Sequence, residues 1–365
     1  MQNTTKNIVI LSQAPYFGIH RFLKAISKNL CLEDIIKNPS KYSEILSLRQ
    51  ETIDFLNVHK YEQYLEKVNK WLTNPKNRIL NFLDKNYPKN LKQIANPPII
   101  LYCSGNIELL KKPQLAIIGA RNHSTYGKNA TEKLCTDLQS SQISIISGLA
   151  YGIDTLAHKY AIKNNLNTIA VVGTGVDITY PSSNRELHNN IIESNNLIIS
   201  EFALGTTPLR HNFPQRNRII SGLAEGVVIV EAAKKSGSLI TAQLALEQNK
   251  EVFAIPGNIF SKTSEGCNDL IKQGAKLVCD LADILEEINI KSTNAKKPNT
   301  LLKTNNHKSL NSSEETVLNS IDIELTTLDA IITRSNLPYN QVVSSLLELE
   351  LKSLIESVTG GYIKI

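Results

Sequence analysis

Five side chains carry the most suggestive chemistry in this 365-residue sequence. Arg210, Phe213, Arg216 and Arg218 fall in one short stretch, Arg210-His211-Asn212-Phe213-Pro214-Gln215-Arg216-Asn217-Arg218, and Arg121 stands apart in Gly119-Ala120-Arg121. Guanidinium groups make paired, charge-assisted hydrogen bonds to phosphate oxygens. An aromatic ring among them offers a face on which a base can stack. Two further runs are rich in small residues, Ser147-Gly148-Leu149-Ala150-Tyr151-Gly152 and Ser236-Gly237-Ser238. Glycine lets a backbone approach a ligand closely, and hydroxyls and main-chain amides suit phosphate oxygens. The candidate site is therefore Gly119, Arg121, Ser147, Gly148, Arg210, Phe213, Arg216, Arg218, Ser236 and Gly237. Its expected chemistry is the binding of phosphates and bases.

Several other chemistries lack their residues. There is no GxGxxG for a dinucleotide, no GxxxxGK[ST] for nucleotide hydrolysis and no GxSxG nucleophile elbow. Asp154 and His158 lie one helical turn apart, which suits helix start and packing better than catalysis. Glu231 follows an apolar run and is expected to make a structural salt link to an arginine. The five cysteines (Cys31, Cys103, Cys135, Cys267, Cys279) are widely scattered and read as free, buried thiols of a cytoplasmic protein. Neither Cys nor His shows metal-site spacing. No catalytic residue, metal or cofactor is expected. The N-terminus has no signal-peptide pattern, and no apolar run approaches the roughly 18 residues of a membrane span.

The elements that must position the site follow from hydrophobic patterning. Residues 1–112 carry helical apolar spacing, such as Phe22, Ile26 and Leu30, and are expected to form a helical domain that closes in a strand-like run at Ile99–Tyr102. Residues 113–288 alternate near-continuous β-branched runs (115–118, 143–146, 168–172, 197–199, 227–230, 252–255) with helical stretches. Strands buried on both faces look like this, and the crossovers call for a Rossmann-like doubly wound, mostly parallel α/β sheet. Every small-residue turn named above follows one of these runs, where open parallel sheets bind ligands. Residues 289–313 are rich in Asn, Ser and Lys without an acid and read as a flexible tether. Residues 314–365 read as a winged helix-turn-helix with a hairpin at Thr359-Gly360-Gly361. The net charge of +6 is uneven, with the surplus in residues 1–112 and slightly more acid than base in the middle section. Nucleic acid at the middle section therefore needs a local basic pocket, not a basic domain.

The motifs, taken in order, resemble the DprA/Smf (DNA-processing protein A) family. The most specific is Phe213-Pro214-Gln215-Arg216-Asn217-Arg218-Ile219-Ile220-Ser221-Gly222-Leu223, followed by Ser147-Gly148…Gly152-Ile153-Asp154…Ala157-His158, Ser236-Gly237-Ser238-Leu239…Thr241-Ala242 and Gly266-Cys267-Asn268…Leu270-Ile271…Gly274-Ala275. The resemblance runs from Tyr87 to about Asp280. It implies a single-stranded DNA-binding homodimer that protects incoming strands and loads the RecA recombinase in natural transformation. It also implies a sterile-alpha-motif-like N-terminal domain. By the same resemblance Arg121 contacts phosphate, Arg210 and Phe213 grip the backbone and stack a base, and Arg216 and Arg218 line the pocket. Ser147, Gly148, Ser236 and Gly237 would supply hydroxyl and amide donors. The third helix of the winged segment carries Glu348 and Glu350, which suits protein contact better than DNA reading. Two alternatives use the same fold. One is a small-nucleotide sensor. The other is a nucleoside-monophosphate phosphoribohydrolase, but Thr241 stands where that enzyme's PGGxGTxxE turn needs its glutamate.

Overall fold

The computed structural model describes residues 1–288, 310–322 and 325–364. The chain divides into two compact units, Met1–Thr293 and Asn294–Ile365. The first unit opens with six helices, α1 (Asn3–Gln13), α2 (Ile19–Ser27), α3 (Leu32–Lys37), α4 (Ser43–Leu46), α5 (Gln50–Asn57) and α6 (Glu62–Trp71). Strand β1 (Asn77–Asn81), the short α7 (Lys89–Lys92) and β2 (Ile100–Gly105) follow. Strands and helices then alternate: β3 (Gln114–Ile118), α8 (Thr125–Asp137), β4 (Ser144–Ser147), α9 (Ile153–Lys163), β5 (Thr168–Val171), α10 (Arg185–Glu193) and β6 (Leu197–Ser200). The series continues through α11 (Asn212–Leu223), β7 (Gly226–Ile229), α12 (Gly237–Glu247), β8 (Glu251–Ala254), α13 (Glu265–Lys272), β9 (Lys276–Leu277) and α14 (Leu281–Glu287).

All nine strands join one sheet in the order β1-β2-β6-β5-β4-β3-β7-β8-β9. Strands β3 to β9 are parallel, as the buried β-branched runs require. β3 and β7 are neighbours that the chain leaves in opposite directions, toward β4 from one and toward β8 from the other. Their carboxyl ends therefore bound the topological switch point, where such sheets open a crevice.

The N-terminal residues differ from expectation in one respect. Residues 1–112 read as a separate helical segment, but β1 and β2 extend the sheet beyond β6, with β2 antiparallel to it. Ile100, Leu101, Tyr102 and Cys103 are all buried, so this run is a strand covered on both faces. The helices pack onto the same sheet: Phe22, Leu46 and Leu56 share a core with Tyr102, Ala170 and Ile198. Tyr64 Oη donates to Tyr102 Oη at 2.8 Å and accepts from the Leu204 amide at 3.0 Å. Tyr64 on α6 thereby ties β2 to the connection that leads toward α11.

Of the expected tether, residues 289–309 lie outside the described residues. Its last residues instead start a helix, with the Asn311 side chain capping α15 (Ser312–Asn319) in a reciprocal box with Glu314. The second unit is a winged helix, with α16 (Leu328–Ser335), α17 (Tyr339–Leu351) and the hairpin β10 (Ile355–Val358) and β11 (Gly361–Lys364). Val317, Ile331, Val342, Leu346, Leu349 and Ile355 form its core. Glu348 and Glu350 are exposed on α17, together with Leu347 and Leu351.

A core shared by helices and sheet predicts shared unfolding. Phe22 is fully buried, with its ring edge-on to Phe82 at 6.1 Å. Phe22→Ala should cost about 3–5 kcal/mol. In urea, the far-ultraviolet helix signal and the fluorescence of Trp71 should both move to the same lower midpoint.

Candidate nucleic-acid interface

The candidate residues gather at the carboxyl rim of the sheet, but they fall into two classes. Arg216, in the second turn of α11, points inward and is 4% exposed. Its Nη1 donates to the carbonyls of Gly148 and Val171, at the ends of β4 and β5. Its Nε donates to Asn217 Oδ1 at 3.1 Å. Asp154 lies alongside and accepts from the Gly148 amide at 3.1 Å. Burial raises the Asp154 carboxyl while the Arg216 charge opposes that rise. Burial also pulls Arg216 down to about 10, opposed by Asp154 and reinforced by the nearby charge of Arg121, so Arg216 keeps its charge at neutral pH. Gly148 must lack a side chain, because a Cβ there would fall inside the Arg216 guanidinium. Arg216 is thus a positioning residue whose face forms part of the pocket floor.

Arg218 is removed from the site altogether. It pairs with Glu201, and both side chains are largely buried. Ser147 is also interior: its Oγ donates to the Ile117 carbonyl at 2.7 Å, tying β4 to β3. Gly119 provides close packing, since a Cβ would press on Ile153 and the Glu231 carbonyl. Ser236 caps α12, accepting from the Ser238 amide and sharing a 2.6 Å hydrogen bond with its hydroxyl. Gly237 is exposed, with open space where a Cβ would go.

Of the candidate side chains able to grip a ligand, Arg121 and Arg210 face solvent and Phe213 is half-buried. Arg121 leaves the β3 turn and Arg210 precedes α11; both are exposed, and neither has an ion-pair partner among the described residues. Phe213, in the first turn of α11, lays its ring on Gly173, where a Cβ would stand only 2.9 Å away. Asn212 Nδ2 donates to the Gly173 carbonyl at 3.1 Å and fixes that approach. Tyr180 flanks the ring at 5.5 Å between centroids. Arg121, Gly148, Ala150, Tyr151, Gly173, Thr174, Tyr180, Phe213 and Arg216 line a cavity of about 50 Å³. Tyr151 and Tyr180, about half exposed, are rim aromatics that sequence reasoning missed. The available signal was their place in strand-end turns rich in glycine. Tyr151 stands between Gly148 and Gly152, and Tyr180 lies in the connection that begins at Gly173-Thr174-Gly175.

The switch-point crevice itself is filled. The Glu231 carboxylate accepts from the Ser124 amide (2.9 Å), the Ser124 hydroxyl (2.5 Å) and the Thr263 hydroxyl (3.3 Å). It sits at the N-terminus of α8, where a Rossmann fold binds a phosphate. A Cβ at Gly127 would collide with this carboxylate. The expected salt link from Glu231 to an arginine is therefore replaced by hydroxyl and amide donors, because Ser124 reaches the carboxylate across the switch point and Thr263 reaches it from the loop after β8. His158 is fully buried, with Nδ1 bonded to Thr168 Oγ1 at 2.7 Å. Burial lowers its pKa from 6.5 to about 3.

Residues 78–289 match the family model for DNA recombination-mediator protein A, and residues 303–361 match the DprA winged helix domain. Protein Smf of Escherichia coli is 39% identical over 296 residues, covering 81% of this chain and 79% of that protein. The crystal structure of DNA processing protein A from Streptococcus pneumoniae superposes with a TM-score of 0.67 at 36% identity, covering 80% of this chain and 99% of that one. DNA processing protein A from Helicobacter pylori, described as having a unique single-stranded DNA binding mode, gives a TM-score of 0.51 at 32% identity over 58% of this chain and 94% of that one.

The two classes of arginine should separate in stability measurements. Arg216→Met strands two carbonyls and Asp154, and should cost about 3–5 kcal/mol in urea unfolding, whereas Arg121→Ala should stay within about 0.5 kcal/mol of wild type. The buried histidine should show in the pH dependence. Because the folded pKa of His158 is depressed, its contribution is present above pH 6.5 and is lost as pH falls toward 3. His158→Gln should make the pH dependence of stability shallower in that window, by up to about 1.4 kcal/mol per pH unit.

Proposed function

Because the chain belongs to the DNA recombination-mediator protein A family, DprA/Smf, we propose that it binds single-stranded DNA at the Arg121–Phe213 rim, as a homodimer, protecting incoming strands and loading RecA onto them. The observation that carries the binding step is an aromatic floor that shares its cavity with the unpaired Arg121, with a second unpaired arginine, Arg210, just ahead of it in the chain. Phe213 is held against Gly173 and flanked by Tyr180, and both Arg121 and Arg210 are exposed. Such a floor accepts a base only if the base is splayed from its strand, which favours single strands over duplex. The cavity of about 50 Å³ is far below the roughly 300 Å³ at which small-molecule sites begin. It can take a phosphate or a base edge, while the rest of the ligand must run across the surface. A free mononucleotide is a poor fit on that ground, and the filled crevice at Glu231 removes the fold's other nucleotide position. The handover to RecA rests on the family description of a recombination mediator. The exposed acidic and leucine side chains of α17 suit a protein contact there better than a phosphate contact.

The test is fluorescence anisotropy of labelled oligo-dT and a matched duplex at two salt concentrations. Wild type should prefer the single strand. Arg121→Ala and Arg210→Ala should each weaken binding by about 1–3 kcal/mol and flatten the salt dependence by about 0.7 per lost phosphate contact. Phe213→Ala should weaken binding by about 1–3 kcal/mol without changing the salt slope. Wild-type affinity in all three variants would rule out this rim as the DNA site.

A further inference from the structure

The loop after β8 presents, among the described residues, two of the most exposed apolar side chains, Ile259 at 78% and Phe260 at 89%. The loop is not a loose tether. The Gly257 amide donates to Asn268 Oδ1 and the Asn268 side chain donates back to the Gly257 carbonyl. Asn258 Oδ1 accepts from the Phe260 amide at 2.9 Å, and the Ser261 amide donates to the Asn258 carbonyl at 3.0 Å. At its far end Thr263 binds Glu231, and the Gly266 amide donates to the Ala232 carbonyl. The Phe260 side chain is thus displayed on a turn fixed at both ends. An aromatic ring exposed in this way is available to a partner, because its burial has been left unused.

Its position says which partner. The strand ends run β5, β4, β3, β7, β8 across the sheet, so the loop stands four strand spacings, about 19 Å, from the Phe213 pocket over β5. Between them lie Arg121 after β3 and the turn Lys234-Lys235-Ser236-Gly237 after β7. Lys234, Lys235 and Lys262 are exposed and have no ion-pair partner among the described residues. Of the acids nearby, Glu231 is buried and engaged with Ser124 and Thr263, and Glu265 heads α13. Cations interleaved with aromatics along a line are the features that hold single strands without sequence preference.

We propose that Phe260, with Ile259 beside it, is a second stacking platform, and that the single strand bound at Phe213 continues along the rim past Arg121 and the Lys234–Lys235 turn to reach it. This rests on the DNA-binding reading of the rim and adds a length requirement to it. The test compares oligo-dT of about 4 and about 16 nucleotides, the range of single-strand site sizes, against wild type, Phe260→Ala, Phe260→Trp and Phe213→Ala, with oligomeric state followed by light scattering. Phe260→Ala should match wild type on the short strand and lose about tenfold on the long one. Phe213→Ala should lose on both. Phe260→Trp should restore long-strand affinity, and its added indole fluorescence should be quenched by the long strand only. Unchanged long-strand binding by Phe260→Ala would overturn the second platform while leaving the first intact. Dissociation of a dimer by Phe260→Ala would assign the loop to a second copy of the chain instead. Failure of wild type to bind either length would overturn the DNA reading itself, and the platform with it.

Discussion

The rim depends on one buried guanidinium. Arg216 reaches from α11 into the sheet and donates to the ends of β4 and β5 at once, through the carbonyls of Gly148 and Val171. A charge taken out of water in this way is tolerable only when it is paired and hydrogen-bonded. Asp154 supplies the opposing charge and also holds the Gly148 amide. The helix, two strand ends and the β4 turn are thereby locked in one arrangement, and Phe213, one turn earlier on α11, is delivered onto Gly173. The missing side chain at Gly148 is what makes the lock possible, and the missing side chain at Gly173 is what makes the platform possible.

This arrangement separates residues that look alike in sequence. Arg210, Arg216 and Arg218 are close neighbours in the chain, but their places before and along α11 send them to three environments: solvent, the sheet ends and a buried pair with Glu201. Composition says that arginines are present; it does not say which of them remain to meet a ligand. The parallel sheet was legible because near-continuous β-branched runs admit few other structures, and the strand-end turns followed from it. The sheet edge was legible only in part: the strand-like run at Ile99–Tyr102 became β2, whereas β1, Asn77-Arg78-Ile79-Leu80-Asn81, has little apolar pattern and gains its place only by pairing with β2. Ser147 illustrates a further limit. A serine beside a glycine at a strand end suits a phosphate, yet an acceptor on the adjacent strand lies within reach, and the hydroxyl points there.

The N-terminal helices contribute to the site without touching it. Their core is continuous with the face of the sheet that carries Tyr102 and Ile198, and Tyr64 holds the Leu204 amide in the connection between β6 and α11. Glu201 at the start of that connection is anchored by Arg218, so the segment delivering Arg210 is tied down at its origin and again at Leu204. Beyond Leu204 it becomes exposed, and Arg210 is left without an ion-pair partner among the described residues.

Glu231 gives the fold an occupant that never leaves. Where related architectures hold an exchangeable phosphate at the start of a helix, this chain supplies the negative charge covalently and leaves residue 127 without a Cβ to make room for it. A site of that kind has no apo state and cannot be competed for. The crevice is therefore insensitive to the nucleotide pool of the cell.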